Sequence, residues 1–268
     1  MKSAMPMHGY AFRFSVAHAY YEKLATGTYG GPDACFPPYL WRLPFFYLDV
    51  LCYGKFDLLA TAGDLPLSWT SPIYPKLYSN DTSINPLGKP ITEHQDGWIG
   101  SLVTIGAIVG PLPFGFISEK FGRKIGLLSI ALPHIISYFM MAFAKHIYMF
   151  YIGRILGGLA MGGGYTLLPM YIAEISQNSN RGMMSQTLNV FWAIGNFLPY
   201  ALGPFLSIMW FNIVLACIPS IFFLSFLAIG PESPYYLVKV NKIKEAEKAL
   251  MLLRSLDEKG VEVGTGSN

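Results

Sequence analysis

Residues 148–175 read YMFYIGRILGGLAMGGGYTLLPMYIAEI, with one charge near the start, Arg154, and one at the end, Glu174. Lipid offers no hydrogen-bond partner to an open backbone, and a hydrocarbon core of roughly 30 Å takes about 20 apolar residues of helix. A stretch this long and this apolar is therefore expected to cross a bilayer as a helix. Segments 98–116, 125–144, 183–202 and 210–229 have the same character. Between Gly97 and Gly230 the chain holds only eight charges. Seven of them (Glu119, Lys120, Arg123, Lys124, Lys145, Glu174, Arg181) cluster at or between the ends of the apolar stretches, and Arg154 alone sits inside one. The expected fold class is all-α, a polytopic membrane protein.

Composition agrees with this reading. Of 268 residues, 53% are hydrophobic and 13% charged, about half the charged share of a soluble domain, which excludes a water-soluble globule. A net charge of +3, scattered along the chain, forms no basic face, so nucleic acid is not an expected partner. Cys35, Cys52 and Cys217 lack metal-ligand spacing and read as packing residues; neither a metal site nor a cofactor is expected. No signal-peptide layout follows Lys2, so membrane entry is expected to rely on the internal segments. Upstream, residues 45–69 are apolar enough to be a first span but hold Asp49, Lys55, Asp57 and Asp64, a compromised membrane helix. Residues 1–44, punctuated by Gly and Pro without a sustained period, form an unassigned extension.

With that first span counted, 14 of the 19 Lys and Arg fall on one side: four before Pro44, three among residues 119–124, Arg181, and six after Gly230. The positive-inside rule then makes both termini cytoplasmic. Asn80-Asp81-Thr82, an N-glycosylation sequon, lies in the loop assigned outside, with Lys76, Lys89 and Lys145 on the same side. After Gly230, Leu237, Val240, Ile243, Ala246, Leu250, Leu253 and Leu256 recur at helical spacing among lysines and glutamates, which predicts a cytosolic amphipathic helix over 231–257. The polar segment 258–268 reads as a disordered tail.

Three segments carry more specific patterns. In Gly115-Phe-Ile-Ser-Glu119-Lys120-Phe-Gly122-Arg123-Lys124, Gly115 is expected to let two helices approach, Glu119 to sit near a helix N-terminus, and Gly122 to permit a turn. Arg123 then points at a carboxylate on the same rim. Gly153-Arg154 opens a glycine-rich span (Gly157, Gly158, Gly162, Gly163, Gly164), followed by Pro169-Met-Tyr171-Ile-Ala-Glu174 and Arg181-Gly182, which sets opposite charges at one membrane edge. Pro231-Glu232-Ser233-Pro234-Tyr235-Tyr236-Leu237 closes the series. In the fifth span, Gln186, Asn189, Asn196 and Tyr200 trace one helical face with Ala193. Such a polar stripe means either a wet cavity or interhelical hydrogen bonding. His134, after Pro133, reads as a helix-packing donor, and Trp192, partly off the stripe, as a packing residue. No nucleophile with a base and no phosphate loop is present, so no enzyme chemistry is expected.

The first of these segments resembles the loop signature of the major facilitator superfamily, with Glu119 where Asp is usual. The second resembles the sugar-porter signature, and the third resembles that family's PES/TP segment, with Tyr235 where many members have Arg. Trp69-Thr70-Ser71-Pro72 looks like the end of a first helix in insect facilitated trehalose and hexose transporters, and the resemblance runs over residues 58–256. It implies the six-helix N-terminal half of a major facilitator fold, a 3+3 inverted repeat in which sugar sits between two such halves. It further implies a trehalose or hexose carrier of the plasma membrane working by alternating access. Arg123, Glu174, Arg181 and Glu232 would form cytoplasmic ion pairs, with Gly115, Glu119, Gly122 and Lys124 in the same loop signature, and Arg154 would brace the outer half of helix four. Sugar porters bind substrate through a Gln eight residues after the Arg-Gly arginine; here that position is Asn189, flanked by Gln186 and Asn196. Proton-coupled relatives carry an Asp in helix one where this chain has Leu65, beside Asp64, which favours facilitated diffusion. Six helices instead of twelve imply a half carrier completed by a C-terminal half or second copy, or a non-transporting fragment that acts by association.

Overall fold

The computed structural model describes residues 57–176 and 181–254. The extension 1–44, residues 45–56 of the first span, Cys35, Cys52 and the 258–268 tail lie outside the described residues. The helices are α1 (57–68), α2 (Thr70–Leu77), α3 (Glu93–Val109), α4 (Pro111–Phe121), α5 (Arg123–Ala142), α6 (Ile147–Ile175), α7 (Arg181–Leu202), α8 (Ile208–Ile229), α9 (Pro234–Lys239) and α10 (Ile243–Arg254). No strand occurs among the described residues. The continuous run Glu93–Phe121 and helices α5, α6 and α8 are each long and apolar enough to cross a membrane. Large apolar side chains stand exposed along them, Ile108, Leu112, Phe116, Ile136 and Leu224 among them, as a lipid-facing surface requires. Helix α7 has the length, and its amides set it apart.

Two local readings change. The first helix does not stop at Trp69-Thr70-Ser71-Pro72. The chain bends at Trp69, which keeps helical dihedrals (φ −56°, ψ −37°), and continues to Leu77 as α2. Pro72 falls in the first turn of α2, where no N–H needs an intrahelical partner, so it starts a helix instead of ending one. Gly110 has helical dihedrals and joins α3 to α4 without a loop. The expected loop over residues 115–124 shrinks to one residue, Gly122, whose φ of 108° ends α4 and begins α5.

Helix α6 packs against α3, α4, α5 and α7. Its glycines do this where backbone meets backbone. A Cβ on Gly158 would overlap the Val103 carbonyl, and one on Gly162 the Ala107 carbonyl; reciprocally, Gly106 and Gly110 of α3 face the carbonyls of Ile155 and Leu159. Pro111 has no N–H to return to Ala107, so that carbonyl is freed to lie over Gly162. Gly115, by contrast, has no neighbour within 4 Å of its Cβ position, and the close approach of α4 to α5 is made by Gly126 against Ser118. Beneath one end of the bundle, Leu65, Trp69, Ile73, Ile99, Tyr138 and Phe150 form part of a fully buried cluster.

The contacts divide the chain into two units, 48–230 and one that holds 231–254. In the latter, the Ser233 hydroxyl caps α9 by accepting from the Tyr236 N–H, with Pro234 at the first helical position. The expected single amphipathic helix is broken at Asn241, which adopts a φ of 65° and separates α9 from α10. The break rotates the pattern: Leu237, Ala246 and Ala249 pack together, whereas Val240 and Ile243 are exposed.

Helix contact of this kind makes a sharp prediction about volume. Gly162→Ala should lower the thermal midpoint of the detergent-solubilised protein, with overpacking worth about 1–3 kcal/mol. Gly164→Ala, at a position with no neighbour within 4 Å, should not. Equal midpoints for the two variants would contradict the packing described.

Candidate functional site

The abrupt turn at Gly122 sets Arg123 at the first residue of α5 and aims its side chain at the last turn of α6. There Arg123 Nη2 donates to Glu174 Oε1 at 2.8 Å, Nε lies 3.1 Å from both carboxylate oxygens, and Nη1 reaches the hydroxyl and carbonyl of Ser118 at 3.2 and 3.3 Å. The pair is largely buried, with side chains 8% and 12% exposed. Each partner sits at the wrong end of its helix dipole, a cation at an N-terminus and an anion at a C-terminus, so each is stabilised by the other and destabilised by its own helix. Lys124 crosses to the carbonyl of Leu227 in the last turn of α8 at 3.1 Å, where a cation suits the dipole.

The remaining rim residues are arranged differently from expectation. Arg181 donates to the carbonyl of Ala173 at 3.0 Å, next to Glu174. Glu119 lies in the last turn of α4, four residues before α5 begins, and is exposed. Glu232 belongs to the other unit, where its carboxylate accepts from the Ser233 N–H at 2.8 Å.

Arg154 is 2% exposed and binds helices beyond its own. Its Nη1 donates to the Pro66 carbonyl of α1 at 2.6 Å and its Nε to the Ile99 carbonyl of α3 at 2.9 Å, while the guanidinium lies 5.3 Å from the Trp69 ring. Trp69 Nε1 in turn donates to Asn212 of α8 at 2.8 Å. The charge is thus accommodated by carbonyls and an aromatic face. His134 is fully buried and stacked on Tyr138 at 6.3 Å, yet neither ring nitrogen nor the Tyr138 hydroxyl has a hydrogen-bond partner; it packs without donating.

On α7, Leu188, Gly195 and Pro199 are buried and Trp192 half-buried, and these residues form the packed stripe. Gly195 lies against the Thr61 carbonyl of α1, and Trp192 meets Tyr165 of α6 edge-on at 5.0 Å. One residue further, about 100° around the helix, run Asn189, Ala193, Asn196 and Tyr200, exposed except for half-buried Asn196. Gln186 shares the face and accepts from the Asn189 amide at 3.2 Å. These amides bond to no neighbouring helix among the described residues. Tyr165, also exposed, donates its hydroxyl to Asp64. That pair escaped sequence reading, since Tyr165 lies amid glycines and Asp64 in a span weakened by charges. Asn80 is exposed in the 78–91 loop, which buried Asn85 ties by donating to the carbonyls of Leu77, Ser79 and Lys89. Beside Asn80, the Ser83 N–H holds the Asp81 carboxyl below its usual range.

A family model described as "Sugar (and other) transporter" matches residues 56–264. The chain belongs to the sugar transporter family. Facilitated glucose transporter member 8 of Bos taurus is 32% identical over 187 residues, 70% of this chain and 38% of that protein. The facilitated trehalose transporter Tret1 of Apis mellifera ligustica is 33% identical over 189 residues, 70% of this chain and 36% of the relative. The chain therefore spans well under half the length of these sugar transporters. In fold it matches the proton:xylose symporter XylE bound to 6-bromo-6-deoxy-D-glucose, with a TM-score of 0.63 and 22% identity over 81% of this chain and 52% of that one. XylE from E. coli in a partially occluded inward-open conformation gives 0.62 and 24%, over 80% and 57%. This chain is an integral membrane protein whose described helices have the major facilitator fold and match about half of those solved chains.

The rim pair has a measurable energy. Glu174→Ala strands the Arg123 guanidinium and should destabilise the protein by about 3 kcal/mol in a denaturation experiment. Arg123→Ala/Glu174→Ala should cost less than the sum of the single changes. Additive losses would mean that the two side chains do not couple.

Proposed function

We propose that the chain forms the N-terminal, sugar-contacting wall of a carrier for trehalose or a hexose, working by facilitated diffusion in the plasma membrane with both termini cytoplasmic. The observation that carries this reading is the amide stripe of α7. Asn189 and Gln186 face outward from the bundle beside the packed stripe and satisfy each other only at 3.2 Å, at a cost that a hydroxyl-rich ligand in a wet cavity offsets. The second wall is a C-terminal half or a second copy of the chain. Neither a covalent step nor a cofactor enters the mechanism.

Alternating access is a rocking of the two walls about the cavity. Arg123 and Glu174, with Arg181 beside them, hold the state closed toward the cytoplasm and separate as it opens, a step eased by the unfavourable dipole that Arg123 and Glu174 each meet in their own helices. Facilitated diffusion is supported by Leu65, buried in the core, at the position where a proton-carrying residue is expected. Asn80 carries an N-linked glycan on the outer side.

The test is uptake of labelled trehalose and glucose into vesicles holding the chain, alone and joined to a C-terminal half. Saturable uptake independent of the proton gradient is expected from at least one; none from either contradicts the proposal. At residue level, Asn189→Leu should fold normally and lower sugar affinity about five-fold or more, the loss of one polar contact worth roughly 1–3 kcal/mol. Asn189→Gln should bind at least as well as the parent. Loss of the Leu variant from membranes would instead assign Asn189 to helix packing.

A further inference from the structure

At the rim opposite the Arg123–Glu174 pair, the start of α3, the start of α6 and the segment after α5 enclose a cavity of about 310 Å³. Its side chains are unusual for their charge. Lys89, Lys145 and His146 line it, with Gln95 and Tyr148, and no acidic residue does. Neither lysine ammonium makes a hydrogen bond or ion pair among the described residues. The third cation of this rim, Lys76, is consumed by the carbonyls of Gly203 and Leu206 at the end of α7. The nearest acids in sequence are engaged or turned elsewhere: Asp96 accepts from the Tyr78 hydroxyl at 2.9 Å, and Glu93 is exposed on the first turn of α3 outside the lining.

The other polar groups of the cavity are donors as well. Gln95 uses its side-chain oxygen to accept the Thr92 N–H at 3.0 Å, so its amide nitrogen, with two N–H donors, remains for a ligand. Helix α6 starts at Ile147 without a side-chain cap; the Met149 N–H turns back to the His146 carbonyl, and Ile147 and Tyr148 of the first turn line the cavity. Both lysines are exposed and meet no acidic residue in the lining, so a bound anion gains two charge-assisted hydrogen bonds without displacing an existing partner of either ammonium. Tyr148 and Trp98, both exposed at these helix starts, place the cavity at the level of an aromatic membrane belt, where lipid phosphates lie.

We propose that this cavity is a phosphate-binding site in which Lys89 and Lys145 hold the anionic oxygens and Gln95 donates a further hydrogen bond. The phosphate comes either from an anionic phospholipid headgroup of the outer leaflet or from free phosphate in solution. The site is independent of the sugar path, which runs along α7.

Calorimetric titration of the purified chain in neutral detergent at low ionic strength tests this, with inorganic phosphate in one arm and short-chain phosphatidylglycerol in the other. Saturable binding in either arm is expected, weakened about ten-fold or more by Lys89→Gln/Lys145→Gln at unchanged circular dichroism and melting temperature. Binding confined to inorganic phosphate assigns the free ion, and binding of phosphatidylglycerol assigns the lipid. The single variants Lys89→Gln and Lys145→Gln, each expected to weaken binding, serve if the double variant melts early. Absence of binding in both arms, or binding that the substitutions leave unchanged, overturns the site.

Discussion

Inside a bilayer, apolar side chains gain little by leaving lipid for one another, so helices must associate through close packing and hydrogen bonds. In this chain the requirement falls on α6. Four glycines, Gly158 and Gly162 on α6, Gly106 on α3 and Gly110 where α3 joins α4, each receive a carbonyl from the other side, which draws the two backbones together over about two turns. Everything else is arranged around that contact. Because α3 lies so close, Arg154 of α6 reaches the Ile99 carbonyl; because α6 is 29 residues long, it carries Arg154 in its first half and Glu174 in its last turn.

The two charges of α6 have different roles because their surroundings differ. Arg154 is satisfied by neutral carbonyls on α1 and α3 and by the Trp69 face, so nothing in its environment changes when another residue changes charge. Glu174 is held by the Arg123 guanidinium of the neighbouring helix, and both partners oppose their helix dipoles. In the proposed rocking mechanism Arg154 is a fixed brace and Glu174 a breakable latch on the same helix.

The apolar segments and the glycine-rich span were legible in the sequence because length and composition alone decide whether a helix suits lipid. The sequence set Arg123, Glu174 and Arg181 on one rim but did not pair Arg123 with Glu174, because the one-residue turn at Gly122 that aims Arg123 lay hidden in a segment read as a loop. Other features depend on tertiary detail that spacing does not encode. Gly115 and Gly126 are both glycines of the same loop region, yet only Gly126 meets a neighbour, because the choice depends on which face of α4 turns toward α5. Asn241 breaks an apolar repeat that reads as continuous, since Asn tolerates a left-handed conformation that no periodicity reveals. Asp64 and Tyr165 are 101 residues apart and find each other only when α1 and α6 are packed.

The account stands or falls on whether the rim pair governs the exchange between states while the α7 amides govern sugar binding. Turnover and sugar affinity should therefore be measured separately for Arg123→Ala and Glu174→Ala in a transport-competent carrier reconstituted in vesicles. Each substitution is expected to lower turnover more than it alters affinity, because charge loss shifts the balance between states and leaves the ligand contacts in place. An affinity about ten-fold weaker at unchanged turnover would place both residues in the binding site and contradict the account.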